Sequence, residues 1–444
     1  MTRKRSLIAL GLCALLLLSA CGKENLMPGQ NAPAAQKLAA PQYPQMAPYP
    51  TEFAATFDAD YDAWRDSLKA QRRDRDLSAE LEAYFAKTIP AVLDGAPGEN
   101  VLCSPINLYM ALAMLAECAG GDSRAQVREL LGSADVETLR QQASDVWNVT
   151  YRADGAVQRT LGSALFLDDD LDFRQDTLDV LARDYYASSF RGQMGSEGMN
   201  EDFRSWLNEN TGNLLTNQID KLELTPEVLL ALATTVRFQA KWHHEFLPEN
   251  TVDGTFHSPD GDLDARMMRS GGFDTYYWGD RFSAVAKGFE EGAMWFLLPD
   301  EGVSPEELLE DQQAMAFLLN RETLSENSTY LRVHLTVPQF DVSCQLGLND
   351  TLKGLGITRV FDPALADFTP VSQSQQLALS RVIHGARVKV DEQGCEGAAY
   401  TAMLYAGASR PPEEEVYFTL DRPFLFCVTG AQNLPLFVGI VHQP

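Results

Sequence analysis

The sequence contains none of the short motifs that mark common catalytic sites. Its 444 residues include no G-x-S-x-G turn, no H-E-x-x-H metal motif, no P-loop and no glycine-rich dinucleotide turn. Two of the six histidines, His243 and His244, are adjacent, and neighbours in a regular helix or strand cannot face the same ligand. We therefore expect no enzyme activity, no metal site and no cofactor.

Cysteine is scarce and has no paired spacing. Cys13 and Cys21 lie within the first 21 residues and are considered below, and the other five of the seven cysteines include no C-x-x-C pair. An odd number without such spacing predicts no disulfide framework, so we expect small buried apolar side chains. These five are Cys103, Cys118, Cys344, Cys395 and Cys427.

Positive charge is also in short supply. The 36 Lys and Arg residues are outnumbered by 62 Asp and Glu residues, which gives a formal net charge of −26. A surface this acidic favours solubility and cationic partners, and it argues against a nucleic-acid partner.

No hydrophobic run is long enough to span a bilayer, although a short one stands at the N terminus. Three basic residues at positions 3–5 precede an apolar segment over 7–18, a pattern typical of a secretion signal. The L-S-A-C sequence ending at Cys21 resembles the bacterial lipobox, in which the cysteine is diacylated after cleavage. Residues 1–20 are thus predicted to be a signal peptide, and the mature protein to be lipid-anchored at the outer surface of a bacterial cell. An ordinary signal peptide with a chance cysteine is the alternative.

Residues 21–76 are predicted to be a tether followed by a helical extension. Residues 22–50 hold six Pro, six Ala and four Gln without hydrophobic periodicity, which predicts an extended linker. Apolar residues at helical spacing then predict an amphipathic helix, which we expect to dock onto the domain rather than onto a partner. They are Phe53, Phe57, Tyr61, Trp64 and Leu68.

Residues 77–444 are predicted to form one domain of class α+β. Helical patterns dominate residues 78–145, and strands and helices then mix without regular βαβ spacing. The strand-like runs cover residues 162–167, 229–238, 293–298, 331–337, 382–390, 424–428 and 436–441.

The segment over residues 392–409 has an unusual composition. An acid-Gln-Gly sequence follows an alternating strand, and thirteen uncharged, mostly small residues stand between Glu396 and Arg410. Such a run is usually a flexible linker. This one is poor in Gly and Pro and carries Thr, Met, Leu and two Tyr, so it can also form a buried strand. A segment suited to both states suggests a conformational switch.

This segment resembles the hinge and reactive-centre loop of the serpins, a family of suicide protease inhibitors. Further motifs follow in the family's order and at its spacing, so that the resemblance covers residues 78–444. They are N-V-L-C-S-P-I-N at 100–107, A-L-A-M-L at 111–115, G-G-D-S-R-A-Q-V at 120–127, L-L-G at 130–132, W-L-N-E-N-T-G-N at 206–213, F-Q-A-K-W at 238–242, F-L-L-P-D-E at 296–301, V-P-Q-F at 337–340, L-G-I at 355–357, D-R-P-F at 421–424 and P-L-F-V-G at 435–439.

The resemblance implies a monomer with three β-sheets, about nine helices and an exposed reactive-centre loop. A target serine protease would attack one loop bond and form an acyl-enzyme. The upstream part of the loop would then insert as an extra strand in the main sheet. About fourteen residues at ~3.3 Å each would carry the protease on the order of 45 Å and distort its catalytic site.

The hinge implied by the resemblance carries no charge on the face that would turn inward, which starts at Cys395. Cys395 stands where the family usually has Thr or Ser, and Gly397 stands where it usually has Ala. Glycine raises the entropic cost of strand formation by roughly 0.5–1 kcal/mol relative to alanine, so insertion is expected to be slower. The hinge residues are Glu392, Gly394, Cys395, Glu396, Gly397, Ala398 and Ala399.

The family's loop length places the reactive bond between Ala408 and Ser409, fifteen residues from Gly394 inclusive. A small residue before the cut suits elastase-like proteases. Arg410 would suit trypsin-like enzymes, but Pro411 follows it, and Tyr405 is a further alternative for chymotrypsin-like enzymes.

The resemblance also assigns residues that control the opening of the main sheet without doing chemistry. Ser104, Asn107 and His384 match the shutter beneath that sheet, and Trp242 matches the breach where insertion begins. Thr234 stands where the shutter usually has Asn, which predicts a weaker hydrogen-bond partner for His384. A non-inhibitory serpin-fold binding module and an inhibitor of trypsin-like or cysteine proteases remain as alternative functions.

Overall fold

Eleven α-helices lie in the part of the chain described by the computed structural model, which comprises residues 35–51, 54–94, 98–155, 157–373, 377–395 and 414–444. Local sequence signals explain where several of them begin. The Asp76 side chain caps the second helix by accepting from the Ala79 N–H, and Ser304 and Glu307 form a capping box on the ninth. The helices are α1 Phe57–Gln71, α2 Leu77–Leu93, α3 Pro105–Cys118, α4 Gly121–Leu130, α5 Val136–Thr150, α6 Gln175–Asp184, α7 Glu197–Thr211, α8 Thr216–Ile219, α9 Pro305–Glu310, α10 Gln312–Leu319 and α11 Asn349–Gly354.

The described residues also form seventeen strands, and each of the seven strand-like runs in the sequence coincides with one of them. The strands are β1 Gln36–Ala39, β2 Val101–Cys103, β3 Arg152–Ala153, β4 Gln158–Asp168, β5 Ala187–Gly192, β6 Leu230–Lys241, β7 Val252–Ser258, β8 Gly261–Trp278, β9 Phe282–Phe289, β10 Gly292–Pro299, β11 Ser328–Pro338, β12 Phe340–Gly347, β13 Ile383–Val390, β14 Gly394–Cys395, β15 Glu415–Thr419, β16 Phe424–Thr429 and β17 Pro435–Val441. The α+β class predicted from the sequence is confirmed.

Eight strands form the main sheet, in the order β1-β5-β4-β6-β14-β13-β12, with β3 paired to β4. Both β6 and β13 pair antiparallel with the two-residue strand β14, so these two long strands run parallel to each other. Within the described residues, β14 alone connects them through backbone pairing. As far as these residues show, the centre of the main sheet is joined at one end.

The other nine strands are continuous in hydrogen bonding but divide into two halves. One half is β15-β11-β8, with β7 on the edge of β8, and the other is β9-β10-β16-β17-β2. Only the pairs Tyr277–Ala284 and Trp278–Ser283 join β8 to β9. This division accounts for the expected three sheets.

The core lies between the sheets and the helices that cover them. Helix α3 is buried nearly all round, in keeping with its almost wholly apolar sequence. On the opposite face of the main sheet, Phe203 and Leu207 of α7 pack against Ala164, Phe166 and Ala233 of β4 and β6. One helix thus covers the part of the sheet where β6 and β13 stand apart.

The segment before α1 lies against the domain as an additional edge strand. Strand β1 pairs antiparallel with β5, and Lys37 Nζ lies 5.4 Å from the centroid of the Phe190 ring. Further along, Tyr43 packs on the rings of Trp147 and Tyr186. Residues 35–50 are therefore not the free tether that their composition predicts, because an exposed sheet edge and aromatic side chains hold them.

Helix α1 docks onto the domain, as expected, through a single buried tryptophan. Trp64 is 5% exposed, and its Nε1–H donates to Asp154 Oδ2 at 2.8 Å. Asp154 also pairs with the fully buried Arg152, whose guanidinium lies 5.5 Å from the Trp64 ring centroid. Phe53 lies outside the described residues.

No helix within the described ranges is long and apolar enough to cross a bilayer. The five cysteines of the domain form no disulfide with one another. Four of them are buried, and Cys344 is half-buried with its Sγ donating to the Leu102 carbonyl at 2.7 Å.

Candidate functional site: the hinge and the gap in the main sheet

The predicted hinge enters the main sheet at Gly394 and Cys395, which form β14. Gly394 pairs with Lys241, while Cys395 pairs with Ala240 on one side and Val390 on the other. Cys395 is 2% exposed and belongs to the main core, so its side chain faces inward. The chain after β13 therefore turns back between β6 and β13 and occupies the first two positions of a strand.

A cavity of about 410 Å³ lies further along the same two strands, beginning near Thr235 and Gly385, five residues from the Ala240 and Val390 partners of Cys395. The N-terminal half of β6 and the start of β13 line the sides of the cavity, and α7 covers it. Its lining is mostly apolar, as a slot for a buried strand requires. The lining includes Leu230, Leu232, Thr234, Ile383 and Gly385.

The turn before β14 is fixed by its own side chain. Asp391 Oδ1 accepts from the N–H groups of Gln393 at 2.9 Å and Gly394 at 3.2 Å. Such an Asx-type turn was readable in the sequence as an Asp three residues before a Gly, but the sequence reasoning missed it.

Glu392 anchors the hinge to two distant segments. Its Oε1 accepts from Thr251 Oγ1 at 2.8 Å, and its Oε2 accepts from Gln339 Nε2 at 2.7 Å. Local sequence patterns could not predict that Thr251 and Gln339 bind Glu392, because the two contacts join residues 141 and 53 positions apart. The anchor holds the acid of the hinge outside the core, where its charge remains hydrogen-bonded.

Trp242 lies at the joined end of the sheet, beside the hinge turn. It is 2% exposed, its Nε1–H donates to the Asp391 carbonyl at 3.0 Å, and its backbone N–H donates to the Gln393 carbonyl at 3.1 Å. Lys287 Nζ lies 5.9 Å from the Trp242 ring and 4.2 Å from the Phe246 ring. Burial lowers the pKa of Lys287 to about 8.

The residues assigned to the shutter meet beneath the gap. His384 Nε2 accepts a hydrogen bond from the Ser104 N–H at 2.9 Å, which requires the neutral imidazole. Burial lowers the pKa of His384 to about 4, which favours that neutral form. Ser104 Oγ in turn accepts from the Asn107 N–H and caps α3.

Thr234 lies on the other wall of the same cavity, half-buried and paired with Ser163 of β4. Among the described residues, no hydrogen bond joins Thr234 to His384. The hydrogen-bond partner of His384 is instead the backbone N–H of Ser104. The structure therefore brings Ser104, Asn107 and His384 together and sets Thr234 across the gap.

The remaining predicted site residues lie outside the described residues. They are the hinge residues Glu396, Gly397, Ala398 and Ala399, the reactive-bond residues Ala408 and Ser409, their alternatives Tyr405 and Arg410, and the lipidation residue Cys21.

Comparison with protein families agrees with this geometry. The profile of the family described as "Serpin (serine protease inhibitor)" matches residues 83–444. The chain belongs to the serpin family. The boundary at residue 77 that we predicted for the domain stays a prediction.

Curated relatives of this serpin are protease inhibitors by name. Alpha-1-antiproteinase of Rattus norvegicus is 28% identical over 385 residues, covering 83% of this chain and 90% of the relative. Alpha-1-antitrypsin of Meriones unguiculatus is 30% identical over 356 residues, covering 78% and 84%.

Solved serpin structures share the fold. The thermophilic serpin tengpin in its native state matches with a TM-score of 0.72 at 24% identity, over 84% of this chain and 95% of that one. Human thyroxine-binding globulin in complex with its ligand matches with a TM-score of 0.70 at 20% identity, over 83% and 100%. The serpin architecture predicted from the sequence is confirmed.

Proposed function

We propose that this serpin is a suicide inhibitor of serine proteases with an elastase-like preference, and not an enzyme. The observation that carries the proposal is the position of Gly394 and Cys395, paired between β6 and β13, while an apolar cavity lies further along the same two strands. A hinge that already occupies two strand positions needs no new nucleus, so release of the loop by cleavage would let the strand extend.

Continuing the register of β14 gives each loop residue a partner on β6. Cys395 faces Ala240, so Thr401 would face Thr234 and Tyr405 would face Leu230. Residues directly opposite in an antiparallel pair share a face of the sheet. The uncharged side of the loop would therefore point where Ala240 points, which is into the main core.

The same register places the only charge of the inserting segment on the opposite face. Glu396 would face Gln239, which is half-buried, and so would avoid the cost of an unpaired buried carboxylate, several kcal/mol. Burial of Met403 on the core side would stabilise the inserted state by roughly 1.5–3 kcal/mol. Cleavage would thus convert a metastable chain into a more stable one.

The proposed target class rests on the residue before the cut. Ala408 suits a shallow apolar pocket, whereas Arg410 is followed by Pro411, before which serine proteases cut poorly. The acidic run at residues 413–415 would speed association with basic proteases, an effect that high salt would abolish.

A denaturing gel of residues 22–444, which are the mature chain without the lipidated Cys21, mixed with pancreatic elastase tests this function. A complex that survives detergent, together with a released peptide that begins at Ser409, is the expected result. An Arg410→Ala variant should behave like the wild type with elastase. Trypsin-class and cysteine proteases run in parallel would reveal a different target class.

Cleavage at the same bond without a stable complex would overturn the inhibitory assignment. It would instead favour a non-inhibitory binding module and would identify Cys395 and Gly397, the two residues that depart from the family pattern, as the first to restore to Thr and Ala.

We also propose that the mature protein is a monomer outside the cell, held at the membrane only by lipid on Cys21. The L-S-A-C sequence supports this proposal. A Cys21→Ser variant should move from the membrane fraction to the soluble fraction, and an unchanged distribution would contradict the anchor.

A further inference from the structure

The outer face of the β15-β11-β8 half-sheet carries a group of exposed aromatic side chains. Tyr417 is 71% exposed and Tyr330 is 59% exposed, the highest values among the large apolar side chains of the described residues. Together with their neighbours they form what we call the aromatic face: Phe273, Tyr330, Arg332, His334 and Tyr417.

Contacts within the aromatic face hold its side chains in place. His334 and Tyr417 are register partners whose rings stack with centroids 4.5 Å apart, and His334 Nε2 lies 3.1 Å from Glu415 Oε2. Phe273 stacks on Tyr330 at 6.2 Å, and the Arg332 guanidinium lies 4.7 Å from the Phe273 centroid. Side chains that are already ordered lose little entropy when a partner binds.

The fold does not require aromatic residues at these positions. Along β11 the alternate residues Leu331, Val333 and Leu335 are buried and supply the core contacts of the strand. The outward positions are free to be small and polar, yet they carry the residue types that dominate binding hot spots, Tyr and Arg above all. In a chain with a net charge of −26, Arg332 adds a cation at the centre of this face.

The short chain segment between Ala408 and Glu415 limits the distance between the reactive bond and the aromatic face. Glu415 begins β15 and stands seven residues after Ala408, a distance of at most about 25 Å for an extended chain. A globular enzyme of about 200 residues has a radius of gyration near 16 Å, hence a body roughly 40 Å across. An enzyme seated on the bond is therefore large enough to reach the aromatic face.

We propose that the aromatic face is a secondary docking surface on which the body of the target protease rests before the loop is cut. This inference rests on the proposed function, because it takes the reactive bond to lie near residue 408. The complementary patch on the protease would be apolar at its centre, with a carboxylate to meet Arg332.

The test measures binding without catalysis. Pancreatic elastase with its catalytic serine replaced by alanine is titrated against wild type, the double variant Tyr330→Ala/Tyr417→Ala, and Leu365→Ala. Leu365 is 48% exposed but lies in the turn after residues 359–361, outside the half-sheet, and so serves as the matched control. We expect Kd to rise at least about 10-fold in the double variant and to stay within about 2-fold in the control.

A Tyr330→Phe/Tyr417→Phe variant should bind like the wild type, since the rings are kept. Equal Kd values for the wild type and the double alanine variant, or no binding of the wild type, would overturn the inference. A wild-type dimer that the double variant dissolves in sedimentation would overturn it too, because the face would then serve a second copy of this chain.

Failure of the proposed function is a separate outcome. If the wild type binds the inactive protease through the two tyrosines but forms no detergent-stable complex with active elastase, the docking surface stands and the trapping mechanism does not.

Discussion

At the scale of single residues, the hinge depends on the missing side chain of Gly394. A Cβ there would lie 2.2 Å from the Ala240 carbonyl oxygen and 2.9 Å from the Lys241 Cα, both backbone atoms that cannot move alone. Glycine is thus required by the close approach of β14 to β6. The sequence showed the glycine, but only the strand pairing shows what it avoids.

Replacing Gly394 by Ala should push the hinge off β6 and slow strand extension. We expect more loop to be cleaved per trapped protease, so that the stoichiometry of inhibition rises several-fold. Gln393→Ala is the matched control, because the exposed neighbour has no such contact. Equal stoichiometry in both variants would show that the hinge does not need this contact.

His384 should make stability depend on pH. Burial lowers its pKa to about 4 in the folded chain, whereas an unfolded histidine titrates near 6.5. Between these values the unfolded chain binds a proton that the folded chain does not, so stability is full above pH 6.5 and falls as the pH decreases towards 4. The loss from this group alone is about 3 kcal/mol.

Urea unfolding of the wild type and of His384→Gln at pH 6.5, 5.5 and 4.5 isolates this effect from the carboxylates. The variant keeps an acceptor for the Ser104 N–H and should lose less stability over the same pH window. Parallel losses in the two proteins would assign the pH dependence to other groups.

At the scale of elements, the N-terminal extension is fastened by Trp64. Its removal would open a cavity and leave Asp154 and the fully buried Arg152 with fewer partners. Truncation of a buried tryptophan to alanine costs about 3–5 kcal/mol. We expect Trp64→Ala to lower the free energy of unfolding by that amount, if the extension unfolds together with the domain.

Trp64→Phe separates packing from the hydrogen bond. It keeps most of the apolar contact and loses the Nε1–H, so its loss of stability should be intermediate between the wild type and alanine. An alanine variant as stable as the wild type would mean that α1 is not coupled to the unfolding of the domain.

At the scale of the whole molecule, a further strand between β6 and β13 would raise the free energy of unfolding. In the described part of the chain, β14 is the one strand that pairs with both β6 and β13, and an apolar cavity lies further along them. Cleavage of the loop at a single bond should therefore raise the melting temperature sharply, because the inserted strand would complete the sheet.

Calorimetry of intact and loop-nicked protein checks this expectation. Protein nicked at an exposed site outside the loop is the control and should show no increase. A nicked chain that melts at the same temperature as the intact one would mean that the loop does not insert.

Local patterns were sufficient for seven of the seventeen strands in the described residues and for the helices before residue 145. Alternation over residues 331–337 and the apolar run over 436–441 predicted β11 and β17, because side-chain period and burial are properties of a strand itself. Strand β1 escaped prediction. Its four residues lie in a segment rich in Pro and Ala, and their partner in β5 stands about 150 residues away.

The sequence by itself determined the family, the class, the helical region before residue 145, seven of the strands, and a loop whose composition suits both solvent and core. Only the tertiary structure decided which distant residues contact one another. Glu392 accepts hydrogen bonds from Thr251 and Gln339, and His384 accepts one from Ser104. The N-terminal extension is held through Asp154. The reason is physical. A residue's preference for helix, strand or burial is set by its neighbours along the chain, whereas pairing between distant segments is set by the packing of the whole core.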